Sequence, residues 1–189
     1  MRRLKLKSNK LWIVLDIDDT VTDFVSHLCH IHNTRNKTQY CREDLLEWRM
    51  PQELKDTFKK YEEYLYVSAP ALPRVKDKIS QLKKKGYGIL LMTARDEDFR
   101  KQTEFNLDLN GIQYDELFFN KNKALKINRL SEEYDIVIFA DDKVSTVNKV
   151  KERTDVKKVY IINMPSNKNS ELLPGIVRIN NLNEIEEEN

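Results

Sequence analysis

The feature that most limits how this chain can fold is a series of short apolar, β-branched runs, each closed by polar or turn residues. They are Leu11 to Leu15, Tyr87 to Met92, Ile136 to Ala140, Val159 to Ile162 and Ile176 to Ile179. A continuous apolar run without alternation predicts a strand buried on both faces, the environment of a parallel sheet covered by helices. Between the runs lie segments with helical spacing. Val75, Ile79 and Leu82 repeat at i, i+4 and i+7 ahead of Gly86, which can cap a helix C-terminus. Lys123 to Leu130 and Val144 to Val150 carry the same period. Strand and helix therefore alternate from residue 71 onward, which predicts an α/β fold with right-handed βαβ units and a Rossmann-like doubly wound parallel sheet.

Residues 23–70 break that rhythm and hold no convincing strand. FVSHLCHIHN sets Val25, Leu28 and Ile31 at helical spacing, LKDTFKKYEEYLYV does the same with Leu54, Phe58, Tyr61 and Leu65, and SAPALP closes the segment with prolines. The expected organisation is a core domain of residues 10–22 and 71–189 with a small helical cap, residues 23–70, inserted after the first strand. A chain of 189 residues suffices for one sizeable core plus such a lobe. Its 40% hydrophobic and 34% charged content is polar but globular. No run approaches the roughly 18 apolar residues of a membrane span, and MRRLKLKSNK lacks the apolar stretch of a signal peptide. The expectation is a cytoplasmic protein with no membrane partner. Two cysteines make no disulfide framework, and a net charge of +2 without a dominant basic block does not demand a nucleic-acid partner.

Three of the apolar runs end in oxygen donors. In a parallel α/β sheet, ligands bind beyond the carboxyl ends of the strands. LWIVLDIDDTVTDF places Asp16 at such an end, and Asp18, two residues on, projects to the same side of an extended chain. Two bare carboxylates this close repel, and a divalent cation such as Mg²⁺ removes the difficulty. GILLM runs into Thr93, Ala94 and Arg95, a hydroxyl and backbone N–H groups suited to a phosphate oxygen. IVIFADDK ends in Asp141 and Asp142, and FFNKNKALKIN, just before it, supplies lysines able to neutralise a transferring phosphoryl group. His27, His30 and His32 with Cys29 fit no usual zinc spacing, and a helix would turn them to different faces.

Taken in order, DIDDT at 16–20, LLMTAR, a lysine within 121–126 and FADDK resemble the four motifs of the haloacid dehalogenase (HAD) superfamily phosphatases, over residues 11–150 or so. The resemblance implies that Asp16 is the nucleophile and Asp18 the general acid and base. It also implies that Asp16, the Asp18 carbonyl and the acidic pair hold Mg²⁺, with Asp142 favoured as direct ligand and Asp141 supporting it. Thr93 would bind phosphoryl oxygens. Lys123 fits the motif lysine best because it opens a helix, with Lys121 and Lys126 as alternatives. Asp18 at the acid position favours a phosphate ester over a haloacid.

Further along, DxDxxxxDF is similar to the start of the 5′(3′)-deoxyribonucleotidases, which implies a nucleobase near Phe24. Trp48, Tyr61, Tyr64 and Tyr66 offer further ring platforms in the cap. The chain departs from those enzymes in carrying Asp19 where glycine is common. TAR, with Arg95, also looks like the phosphatase half of polynucleotide kinase, so nucleic-acid ends are the runner-up to a mononucleotide, followed by sugar phosphates.

Overall fold

The structure, a computed structural model, describes residues 10–45 and 50–187. Its centre is a parallel sheet of six strands: β1 (Leu11–Leu15), β2 (Gly88–Thr93), β3 (Glu116–Phe119), β4 (Asp135–Asp141), β5 (Lys158–Ile162) and β6 (Ile176–Ile179), in the order β3-β2-β1-β4-β5-β6. The helices are α1 (Phe24–Asn36), α2 (Gln52–Ser68), α3 (Val75–Lys84), α4 (Arg100–Leu109), α5 (Lys123–Leu130) and α6 (Val144–Arg153). The chain winds outward from β1 to β3, returns beside β1 as β4 and winds the other way. That reversal leaves a crevice at the carboxyl ends of β1 and β4.

Each central strand feeds two cores because successive side chains face opposite ways. Ile13, Leu15, Ile89 and Leu91 pack against Val75, Ile79 and Leu82 of α3 and against Leu182 and Ile185 of the C-terminal segment. Val14, Leu90, Met92 and Phe139 pack against Ala124 and Ile127 of α5 and Val147 and Val150 of α6. Gly88 opens β2 because the Trp12 ring lies where its Cβ would be, as close as 2.0 Å. Gly86 closes α3 with φ of +94°, as the sequence anticipates.

Two elements escaped the sequence reading. β3 lies at the sheet edge and buries only Leu117 fully, so it shows no continuous apolar run. The buried positions of α4 are Thr103, Asn106 and Leu107, two of them polar, which erases an apolar stripe. Asn106 answers for its burial by donating to the Val67 and Ala69 carbonyls at 2.8 Å each, satisfying the end of α2.

Between β1 and α3, the described residues form α1, a short turn at Arg42–Asp44, and α2, with no strand. Phe24, Val25, Leu28, Leu54, Leu65 and Tyr66 share a third apolar cluster. Helix α2 carries one non-helical residue, Tyr61 (φ −121°, ψ 19°), so the expected Leu54-to-Leu65 stripe bends there.

Candidate active site

Because β2, β1 and β4 are neighbours, Thr93, Asp16 and Asp141 stand at three adjacent strand ends. Lys123, first residue of α5, enters this row from the segment after β3. Its buried ammonium donates to Asp16 Oδ1 and, at 2.6 Å, to Asp141 Oδ2. One oxygen from each of Asp16, Asp141 and Asp142 lies within 4.8 Å of the others. Both Asp141 oxygens are engaged, since Oδ1 also accepts the Lys143 N–H at 2.8 Å. By contrast, Asp142 Oδ2 is buried and has no hydrogen-bond partner. A buried carboxylate oxygen without a partner is costly, and a hard cation is the group that such an all-oxygen set fits.

The electrostatics agree. Burial pushes the Asp16 carboxyl up to about 7, with the Lys123 ammonium opposing the shift. Asp142 is pushed well up by burial and then by the charges of Asp141 and Asp16. Burial works against the charge on Lys123, but Asp141 and Asp16 outweigh it and hold the ammonium protonated. The floor therefore has three carboxylates crowded around one ammonium, a deficit of positive charge that a dication would fill.

Above the floor is a pocket of about 220 Å³. Phe24, Met50, Phe58 and Tyr66 form an apolar wall contributed by the helical segment, and Ala94, Lys121, Lys143 and Thr146 complete the lining. Phe24 meets Phe58 edge-on at 5.9 Å and Tyr66 at 5.7 Å between ring centres. A larger cavity of about 540 Å³, lined by Leu72, Val75 and Leu182 among others, touches none of the three clustered carboxylates.

Residues 1–168 match a family model described as HAD superfamily, subfamily IIIB (Acid phosphatase). The chain belongs to this family. It is a HAD-superfamily hydrolase of the phosphatase type, and that superfamily generally uses Mg²⁺. Solved structures share the fold at low identity. A haloacid dehalogenase-like hydrolase of Streptococcus pneumoniae, SP0104, is 14% identical with a TM-score of 0.57, over 89% of this chain and 93% of that one. The HAD hydrolase YfnB of Bacillus subtilis, in a magnesium-bound form, is 13% identical with a TM-score of 0.62, over 94% and 97%. A chain of the Pnkp1/Rnl/Hen1 RNA repair complex is 17% identical with a TM-score of 0.55, over 87% of this chain and 47% of that one. No curated protein matches significantly. Among the described residues, no helix is long and apolar enough to cross a membrane.

The other residues singled out in this HAD chain fall into distinct places. Thr93 is buried at the end of β2, and its hydroxyl oxygen accepts the Arg95 N–H at 3.1 Å. Arg95, expected at the substrate, does not line the pocket. Its guanidinium grips Asp18 with two bonds of 3.0 and 2.5 Å, donates to Thr103 at 3.0 Å and lies 4.1 Å over the Tyr66 ring. Asp18 is thereby drawn to Arg95, and its carboxylate stays out of the three-carboxylate cluster. Lys121 is exposed and pairs with Asp96 at 2.6 Å, whereas Lys126 lies 4.4 Å over the Phe118 ring, leaving Lys123 as the lysine at Asp16. Of the further ring platforms expected in segment 23–70, Tyr66 lines the pocket, Tyr61 lies under Arg35, Tyr64 is exposed against His27, and Trp48 lies outside the described residues. His27 bonds Ser68 and His32 bonds Thr57, each at 2.7 Å, so these histidines serve separate partners.

Asp19, without a role in the sequence reading, has one here. It is buried in left-handed backbone, φ +58°. Its Oδ1 accepts the Val25 N–H in the first turn of α1 at 3.1 Å and the Arg42 guanidinium at 2.9 Å. Arg42 also donates to Asp23 at 2.5 Å, fastening the helical segment to the loop after β1. The only hint in the sequence is a carboxylate at a position where glycine is common. Arg42→Ala is expected to cost about 1 to 3 kcal/mol by leaving the buried Asp19 without its counter-charge. The cost should grow with pH. Burial, against the Arg42 charge, holds the Asp19 carboxyl up near 7, above its ordinary 3.8, so native stability from this group falls as pH rises between those values. Removing Arg42 lifts the carboxyl further and extends the fall upward. Urea unfolding of both proteins from pH 5 to pH 8 checks this, and a gap that narrows with pH would contradict it.

Proposed function

We propose that this chain is a Mg²⁺-dependent phosphomonoesterase acting through an aspartyl-phosphate on Asp16, with a nucleoside monophosphate, foremost a 5′-deoxynucleotide, as substrate. One observation carries the reading. The Asp16 and Lys123 pair, with the free Asp142 oxygen, forms the floor of the same pocket whose wall is the Phe24 and Tyr66 rings. Asp16, Asp142 and the Asp18 carbonyl would hold the cation, and Asp141 would support Asp142. Bound there, the cation neutralises phosphoryl charge.

The chain's own residues do the rest. A carboxylate oxygen of Asp16 bonds to phosphorus as the ester P–O bond breaks, and the departing oxygen takes a proton from Asp18, protonated and released from its ion pair with Arg95. Water then adds to phosphorus, gives a proton to Asp18, and releases inorganic phosphate while restoring the Asp16 carboxylate. Lys123, the Thr93 hydroxyl and the Ala94 backbone bind phosphoryl oxygens. Arg95 is a positioning residue that holds Asp18 as a carboxylate between turnovers. The helical segment 23–70 acts as a cap that selects the leaving group and keeps bulk water off the intermediate.

A second reading, a 3′-phosphatase of nucleic-acid ends, is favoured by Lys121 and Lys143, both exposed and lining the pocket, and by the fold shared with a chain of an RNA repair complex. A panel of deoxy- and ribonucleoside 5′- and 3′-monophosphates, 3′-phosphorylated oligonucleotides and sugar phosphates separates the readings. Turnover confined to oligonucleotides replaces the first with the second, and turnover confined to sugar phosphates removes both. Phe24→Leu, which keeps an apolar filler in the cap, is expected to raise KM for nucleotides about 10-fold, the order of one lost ring contact. KM for a small aliphatic phosphate ester should stay unchanged. An equal rise for both would make Phe24 a packing residue only.

A further inference from the structure

The segment that follows β5 reaches back to the acidic floor through one fully buried side chain, Asn167. Its amide Nδ2 donates to the Asp142 carbonyl at 2.7 Å and to the Ile162 carbonyl at 2.8 Å. Its Oδ1 accepts the Met164 N–H at 3.1 Å and Arg178 Nη1 at 3.0 Å. Arg178, on β6, also donates from Nη2 to the carbonyls of Asn167 and Ser170 at 2.9 Å each. One amide thus ties together the ends of β4 and β5 and a cation on β6.

What Asn167 holds at Asp142 is a particular peptide unit. The Asp142 carbonyl and the Lys143 N–H belong to one planar group and point in opposite directions. The carbonyl is taken by Asn167, and the N–H by Asp141 Oδ1 at 2.8 Å. With both ends pinned, the plane cannot turn, and the backbone angle that aims the Asp142 carboxylate is fixed. That carboxylate bears the buried oxygen with no partner.

We propose that Asn167, braced by Arg178, is a positioning residue for the divalent cation: it presets the Asp142 carboxylate for coordination without touching the ion. This rests on the reading of the acidic cluster as a cation site. Partners outside the ligand shell characteristically change metal affinity by about 10- to 100-fold when removed.

The test is calorimetric titration of metal-free protein with Mg²⁺, and separately Mn²⁺, in the absence of substrate. The proteins compared are wild type, Asn167→Ala, Arg178→Ala and the double variant, with melting temperatures recorded alongside. Leu107→Ala, a core truncation on the buried face of α4, supplies a destabilised control. The expected result is Kd about 10-fold weaker in Asn167→Ala, a smaller weakening in Arg178→Ala, no further loss in the double variant, and an unchanged Kd in the control. Should Asn167→Ala fail to fold, Arg178→Ala alone decides by the same criterion. Lowered melting with wild-type Kd would reduce Asn167 to a structural role and overturn the proposal. Wild-type protein that binds neither ion would overturn the cation reading and the proposal with it.

Discussion

Asp16→Asn is expected to leave a folded protein that no longer turns over, with hydrolysis of the proposed monoester substrate lowered by at least about 10³-fold. The side chain keeps its shape, and its remaining oxygen can still accept from Lys123, but a carboxamide cannot form the acyl phosphate. Stability should not suffer. Asp16 is one of three carboxylates crowded within 4.8 Å, and its charge is already disfavoured by burial, so neutralising it relieves repulsion. The check is a steady-state assay paired with thermal melting. Turnover within about 10-fold of wild type would exclude Asp16 as nucleophile, as full activity in excess chelator would exclude the cation.

Lys123→Met carries the largest expected structural penalty. Lys123 is the cation that both Asp16 and Asp141 contact, and its removal leaves buried carboxylates without it. Removing one member of such a buried network costs about 3 to 5 kcal/mol, a drop in melting temperature of about 10 °C for a chain of this size. The loss should be partly reversible. A dication occupying the cluster replaces the missing charge, so Mg²⁺ should raise the melting temperature of the variant by more than it raises that of wild type. Turnover with Mg²⁺ present should still be at least about 10²-fold lower, because the proposed donor to the phosphoryl oxygens is gone. An unchanged melting temperature without metal would show that Lys123 does not balance the floor.

Much of this was readable in the residues because the central strands are buried on both faces. β1 and β6 match their apolar runs end for end, β2 and β4 differ by one residue at each end, and β5 differs by one residue at its start. β3 and α4 were not readable, since an edge strand and a helix with polar buried positions leave no continuous apolar signal. At the site, Asp16, Thr93, Asp141 and Asp142 stood out as oxygen donors that close apolar runs, and the sheet order then sets the ends of β2, β1 and β4 side by side. Choosing Lys123 over Lys121 needed only its place at a helix start. Arg95 was harder: a guanidinium near a phosphate site reads as a ligand, and its commitment to Asp18, Thr103 and Tyr66 depends on long-range packing. Asn167 was invisible for the same reason, 25 residues from Asp142 in sequence.

The backbone at Asp19 is left-handed, a shape glycine takes freely and an aspartate tolerates at modest cost. A glycine there would serve as a pivot, letting the segment beyond it swing with no effect on Asp16. An aspartate turns the pivot into a strut, because its carboxylate holds both the start of α1 and Arg42. Large opening of the pocket wall then requires either releasing that carboxylate or moving the loop that follows Asp16. In this structure, moving the pocket wall and moving Asp16 are mechanically one adjustment.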